Sequence, residues 1–153
     1  MQNPRLIECN SLTAAERPLL NKFYKSHGSS MRASENGLPW VARDGGIIAA
    51  LSLTPVAGGQ WLTGLLVAPA QRNRQVARRL IERACEGLEG AVWLFCHPDL
   101  QPFYERLGFA LCETLPGALG ERLARYRRSK PLVAMRRDQS SLAGSSPGNN
   151  TSV

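Results

Sequence analysis

A chain of 153 residues is long enough to bury a hydrophobic core and short for more than one ordinary domain. With 43% hydrophobic and 20% charged residues its composition is globular, and no apolar run approaches the roughly 20 residues that span a bilayer. The formal net charge of +7 suits a polyanionic partner, either a phosphate-bearing coenzyme or a nucleic acid, while four scattered cysteines and two histidines offer neither a zinc-ligand spacing nor a disulfide framework.

From the N-terminus, Met1 to Cys9 lack the charged-then-apolar pattern of a secretory leader, which makes the cytoplasm the expected address. Arg5 to Asn10 read as a first strand. Ser11 or Thr13 then caps a helix running to Tyr24, with Leu19, Leu20 and Phe23 on one face. The polar, glycine-rich stretch 26–37 reads as a loop or a broken helix. Leu38–Arg43 and Ile47–Thr54 read as strands joined at Asp44-Gly45-Gly46, a hairpin signal, and a second turn at Ala57-Gly58-Gly59 leads into a strand over Gln60–Val67.

The next segment carries the most chemistry. The strand ends in Val67-Ala68-Pro69, an arginine-bearing turn follows over Arg72-Asn73-Arg74-Gln75, and Val76, Ala77, Leu80, Ile81, Ala84, Cys85 and Leu88 then recur at helical spacing. A helix N-terminus leaves backbone N–H groups unpaired and carries partial positive charge, so a strand, a tight turn and a helix in this order suit a pyrophosphate. Ala91–His97 reads as a buried strand. Pro98–Phe109 reads as a short helix closed by Gly108. Residues 110–114 and 131–137 read as a sixth and a seventh strand with an amphipathic helix over 117–128 between them, and a polar tail from 138 to 153 is expected to be disordered.

Two of these motifs, in this order, resemble motifs A and B of the GCN5-related N-acetyltransferase (GNAT) superfamily. Val67-x-Pro69 followed by Arg72-x-x-Gln75-x-Ala77 is similar to the strand and turn that hold coenzyme A, and Tyr104-Glu-Arg-Leu-Gly108-Phe109 to the ending of motif B. The resemblance implies a single α/β (α+β) domain over residues 1–137, with a mixed, mostly antiparallel sheet of six to seven strands flanked by helices and splayed between the fourth and fifth. It also implies acetyl-CoA as co-substrate. The backbone of Leu65, Leu66 and Val67 would hold the pantetheine arm, the turn of Arg72, Asn73, Arg74, Gln75, Val76 and Ala77 would hold the pyrophosphate, and Tyr104 would protonate the leaving thiolate. Gln75 stands where the family usually keeps glycine. If that position needs positive φ, its side chain costs on the order of 1 kcal/mol of strain.

The activity implied is acetyl transfer from acetyl-CoA to a primary amine of a small molecule or peptide, by direct attack. No carboxylate occurs in Trp61–Gly64, where many members place a general base; Glu35, His27 and His97 are the remaining candidates, beside a water chain. Cys96 beside His97 does not make a nucleophile and base, because strand neighbours point to opposite faces. Two other readings stand against the enzyme: a non-catalytic acetyl-CoA-binding module that regulates a partner, and an RNA- or ribosome-associated protein using Arg122, Arg125, Arg127, Arg128 and Lys130. That basic segment is also read as a solvated helix face over Leu119 and Leu123, or as a wall of the acceptor pocket. No metal is expected, nucleic acid is the less favoured partner, and a homodimer is left open.

Overall fold

The computed structural model describes residues 7–32, 36–72 and 75–138. Its seven strands, β1 (Glu8–Ser11), β2 (Leu38–Asp44), β3 (Gly46–Val56), β4 (Gly59–Val67), β5 (Ala91–Cys96), β6 (Ala110–Leu111) and β7 (Val133–Asp138), form one mixed sheet in the order β1-β2-β3-β4-β5-β7-β6. The helices are α1 (Arg17–Ser26), α2 (Val76–Cys85), α3 (Gln101–Glu105) and α4 (Leu119–Tyr126). This is the α/β architecture expected from the motifs. Packing divides the described residues into two compact units, one drawn from those up to Thr54 and from Leu62–Glu86, the other from Pro55–Trp61 and those between Gly87 and Asp138.

In the first unit, the Thr13 amide donates to the Glu16 carboxylate at 3.0 Å while the Glu16 amide bonds back to the Thr13 carbonyl, a capping box that starts the helical turn leading into α1. Hydrogen bonds donated by the Thr13 amide and by its hydroxyl hold the Glu16 carboxyl below its ordinary pKa. α1 buries Leu20, Phe23 and Tyr24 against Leu12, Val41 and Ala50. Leu19, expected on that face, is 47% exposed: residues 20, 23 and 24 stack one turn apart, and position 19 lies about 100° round the helix from Leu20. α2 turns Val76, Leu80, Ile81, Ala84 and Cys85 inward, and Leu88 falls beyond its end, half-buried.

The second unit is built on the antiparallel ladder of β5 and β7, from Ala91↔Asp138 to Cys96↔Val133. The helix expected over 98–109 is shorter than predicted, a 3-10 turn over Pro98–Leu100 followed by five residues of α3. Pro98 and Pro102 each stand in a first turn, where their missing N–H goes unmissed. The sixth strand shrinks to Ala110–Leu111. The expected N-terminal strand residue Arg5 and the tail beyond Asp138 lie outside the described residues.

Candidate functional site

β4 changes character along its length. Its parallel ladder with β5 runs Gly59↔Ala91, Gln60↔Val92 and Trp61↔Trp93, and among the described residues it stops there, so Leu62–Val67 has no rung to β5. This is the splay that the motifs implied. Three residues past the last rung, Gly64 adopts φ +69°, a left-handed backbone inside a strand. The Tyr24 hydroxyl donates to the Gly64 carbonyl at 2.6 Å, and a Cβ built on Gly64 would lie 2.7 Å from that hydroxyl. Burial pushes the Tyr24 phenol up to about 12, so it remains a donor throughout the physiological range. Neither residue was singled out from sequence; a glycine inside an otherwise apolar strand was the available signal.

Beyond Gly64, Leu66 packs on the α1 core cluster, and the Ala68 amide donates to the Ile48 carbonyl at 2.8 Å. A 3-10 turn over Pro69–Gln71 then delivers the chain to Arg72. The exposed Arg72 side chain folds back, its Nε donating to the Val67 carbonyl at 3.1 Å. Asn73 and Arg74 lie outside the described residues.

Gln75 begins α2 from the left-handed region, φ 64° and ψ 21°, the one non-glycine residue with positive φ among those described. The glycine position therefore does demand a glycine-like backbone, and Gln75 bears the strain. Its side chain turns along the helix, where Oε1 accepts from Arg78 Nε at 3.2 Å; Arg78 in turn lies 3.5 Å from the Glu82 carboxylate. The first hydrogen bond of α2 runs from the Arg79 amide to the Gln75 carbonyl, so the amides of Val76, Ala77 and Arg78 precede the intrahelical ladder. Val76 is buried and Ala77 half-buried, which leaves their backbones rather than their side chains to offer anything to a ligand.

In the second unit, Tyr104 is 7% exposed, packed edge-on against Phe103 and Phe109. Its carbonyl accepts from the amides of Leu107 and Phe109, which closes α3 through Gly108. Burial, reinforced by Cys96, raises the Tyr104 phenol far above its ordinary value. Cys96 faces inward with Sγ 3.7 Å from Met135 Sδ and a raised pKa, whereas the adjacent His97 is about half exposed, so the two do not pair. All four cysteines are free. Among the described residues no three His, Cys, Asp or Glu side chains come together as a metal site.

Of the candidate bases, His97 has structural work: its Nδ1 accepts from the Asp99 amide at 3.0 Å and caps the turn before α3. His27 lies edge-on to Phe23 at the end of α1, and Glu35 is outside the described residues. The basic segment forms α4, with Leu119 and Leu123 buried and Arg125, Arg127 and Arg128 exposed.

The family of acetyltransferase (GNAT) domains matches this sequence over residues 35–111, a span that includes the β3–β4 hairpin, the turn at Gln75, α2 and the Tyr104 helix. The chain belongs to the GNAT acetyltransferase family. Its fold is shared with Escherichia coli ElaA (TM-score 0.63, 13% identity, covering 86% of this chain and 99% of that one). It is shared likewise with the Escherichia coli ribosomal-protein-S18-alanine N-acetyltransferase (0.63, 17%, 86% and 92%). A third similar structure is N-acetylglutamate synthase from Neisseria gonorrhoeae complexed with coenzyme A and N-acetyl-glutamate (0.62, 15%, 86% and 34%). No curated protein sequence gives a significant match. No helix among the described residues is long and apolar enough to cross a membrane.

Proposed function

We propose that this protein transfers an acetyl group from acetyl-CoA to a primary amine of a small molecule or peptide by direct attack. The observation that carries the reading is the start of α2, where Gln75 accepts a strained left-handed backbone in order to open the helix directly behind an arginine turn. Strain of this kind persists where the surrounding structure needs the geometry. The donor set there suits a pyrophosphate: amides ahead of the helical ladder and the positive end of the α2 dipole, with the exposed Arg72 three residues before Gln75 in the chain. Gln75, drawn onto Arg78, leaves those amides clear. Acetyl-CoA supplies the activated thioester; the protein supplies grip and a proton.

In this reading Leu65 and Leu66, with the Val67 amide, hold the pantetheine arm through backbone groups that β5 does not pair. Arg72, Asn73, Arg74, Gln75, Val76 and Ala77 hold the phosphates. Tyr104 acts as the acid for the departing thiolate, and its raised pKa keeps the proton in place at every physiological pH. Full transfer from so weak an acid is uphill by about 1.4 kcal/mol per unit of pKa difference, so a strong hydrogen bond to the thiolate carries most of the benefit. The acetyltransferase domain in this reading spans residues 1–137 and works in the cytoplasm.

The test is thiol release from acetyl-CoA against a panel of amines and peptides. Wild type should turn over at least one class, and Tyr104→Phe should lower kcat by about 100-fold with acetyl-CoA affinity unchanged. Unaltered turnover would remove Tyr104 from the mechanism. Two observations favour a second reading, a non-catalytic acetyl-CoA-binding module: β4 holds no carboxylate, and His97 is engaged as a cap. Tight acetyl-CoA binding without turnover across the panel would select it.

A further inference from the structure

The chain has three tryptophans, and an arginine covers each. Arg83 lies over Trp40 with Cζ 5.8 Å from the ring centroid, Arg136 over Trp93 at 5.6 Å, and Arg122 over Trp61 at 4.8 Å. The indole N–H is buried without an acceptor in all three. What separates them is the arginine's other partner. Arg83 pairs with Glu86 at 2.8 Å and Arg136 with Asp138 at 2.7 Å. Arg122, in the closest stack, has no carboxylate among the described residues, and its Nε is buried with no hydrogen-bond partner.

A guanidinium carries five N–H donors in a fixed fork, and stacking on an aromatic face orients that fork without using it. In two of the stacks a carboxylate from the same chain completes the arrangement. At Trp61 no carboxylate of the described residues completes it, and aromatic side chains stand alongside. Phe95 lies 5.5 Å from Trp61 and Tyr126 lies 6.2 Å from Phe95, giving an apolar wall beside the guanidinium. Trp61 and Phe95 are half-buried and Tyr126 is 39% exposed, so the wall is reachable from solvent. From residue 117 to 130 the one acid is Glu121, against Arg122, Arg125, Arg127, Arg128 and Lys130. That local field draws an anion and repels a cation. Trp61 is also the last rung of the β4–β5 ladder, with Phe95 two residues past the matching rung, so the wall stands where the strands cease to pair.

From this unmatched third stack we infer that Arg122, held on Trp61 and flanked by Phe95 and Tyr126, is a carboxylate-binding subsite that recognises the acyl acceptor. The acceptor class is then an amine that also carries a carboxylate beside an apolar or aromatic body, such as an amino acid or a peptide with a free C-terminus. Calling the ligand the acceptor rests on the acetyltransferase reading; the carboxylate site itself does not.

The probes are phenylacetate and phenylacetamide, equal in size and different in charge. Each is titrated into the full-length chain while the indole N–H resonances of Trp61, Trp40 and Trp93 are followed by NMR. Phenylacetate should shift Trp61 saturably and bind about tenfold or more tighter than phenylacetamide, leaving Trp40 and Trp93 unmoved. Arg122→Gln should abolish that preference, Arg122→Lys should retain part of it, and Arg125→Gln, which removes the same charge from the same helix, should leave most of it. Equal binding of the two probes, no saturable shift, or equal losses in Arg122→Gln and Arg125→Gln would overturn the subsite. Acetyl-CoA binding measured on the same sample separates the two claims: normal acetyl-CoA binding without a phenylacetate response overturns the subsite alone. A phenylacetate response without acetyl-CoA binding keeps the subsite and removes its acceptor role.

Discussion

The two halves of β4 are one strand doing opposite things. At Gly59 the chain is pressed so close to β5 that a Cβ would overlap the Ala91 carbonyl, and the ladder is regular. At Gly64 the backbone turns through positive φ, the ladder to β5 has ended, and a tyrosine from α1 holds the carbonyl. One glycine is needed for proximity and the other for conformation. The contrast teaches that the splay is built: the strand is pinned at one end and bent at the other.

The sharpest way to break the pinned end is Gly59→Ala, whose methyl meets backbone that cannot swing aside. We expect about 4 kcal/mol or more of lost stability in chemical denaturation. Gly64→Ala attacks the bent end, adding left-handed strain and displacing the Tyr24 hydroxyl, and should cost about 3 kcal/mol. Tyr24→Phe leaves the bend and removes only its hydrogen bond, for about 2 kcal/mol. If Gly64→Ala and Tyr24→Phe instead cost the same, the bend owes nothing to the glycine.

Smaller effects sharpen the picture further. Tyr24 and Tyr104 both have raised pKa values in the folded state, so the unfolded chain loses those protons first, near pH 10. Their contribution is intact below pH 10 and falls as pH rises toward 12, by about 1.4 kcal/mol per unit for each tyrosine. Tyr24→Phe should reduce that slope by about half in denaturation curves taken between pH 10 and 12. Gln75→Gly relieves strain but frees the unfolded chain, and should gain no more than about 1 kcal/mol. Because the Gln75 side chain is tied to Arg78, acetyl-CoA affinity should stay within about threefold of wild type. A much tighter complex would show that the glutamine obstructs the turn.

What could be read from the sequence was local. The strand, arginine turn and amphipathic helix around Gln75 announce themselves by spacing within twenty residues, and so does the Tyr104 helix with its glycine stop. Even the cost of Gln75 could be stated in advance as a condition on φ, which only the structure could decide. The features that escaped are joined across long separations. Tyr24 reaches Gly64 over 40 residues, and Arg122 reaches Trp61 from another element altogether. Neither pairing leaves a periodic trace. Leu19 was misplaced for a different reason: Leu19 and Leu20 are equally apolar, and only the buried Tyr24 identifies which of them starts the inward stripe.

If the start of α2 is a coenzyme A site, titration calorimetry of the wild-type chain with acetyl-CoA reads it most directly. At about 100 μM protein we predict a saturable isotherm of one acetyl-CoA per chain. The absence of any binding heat under those conditions, confirmed at a second temperature, would contradict the catalytic and the regulatory readings together.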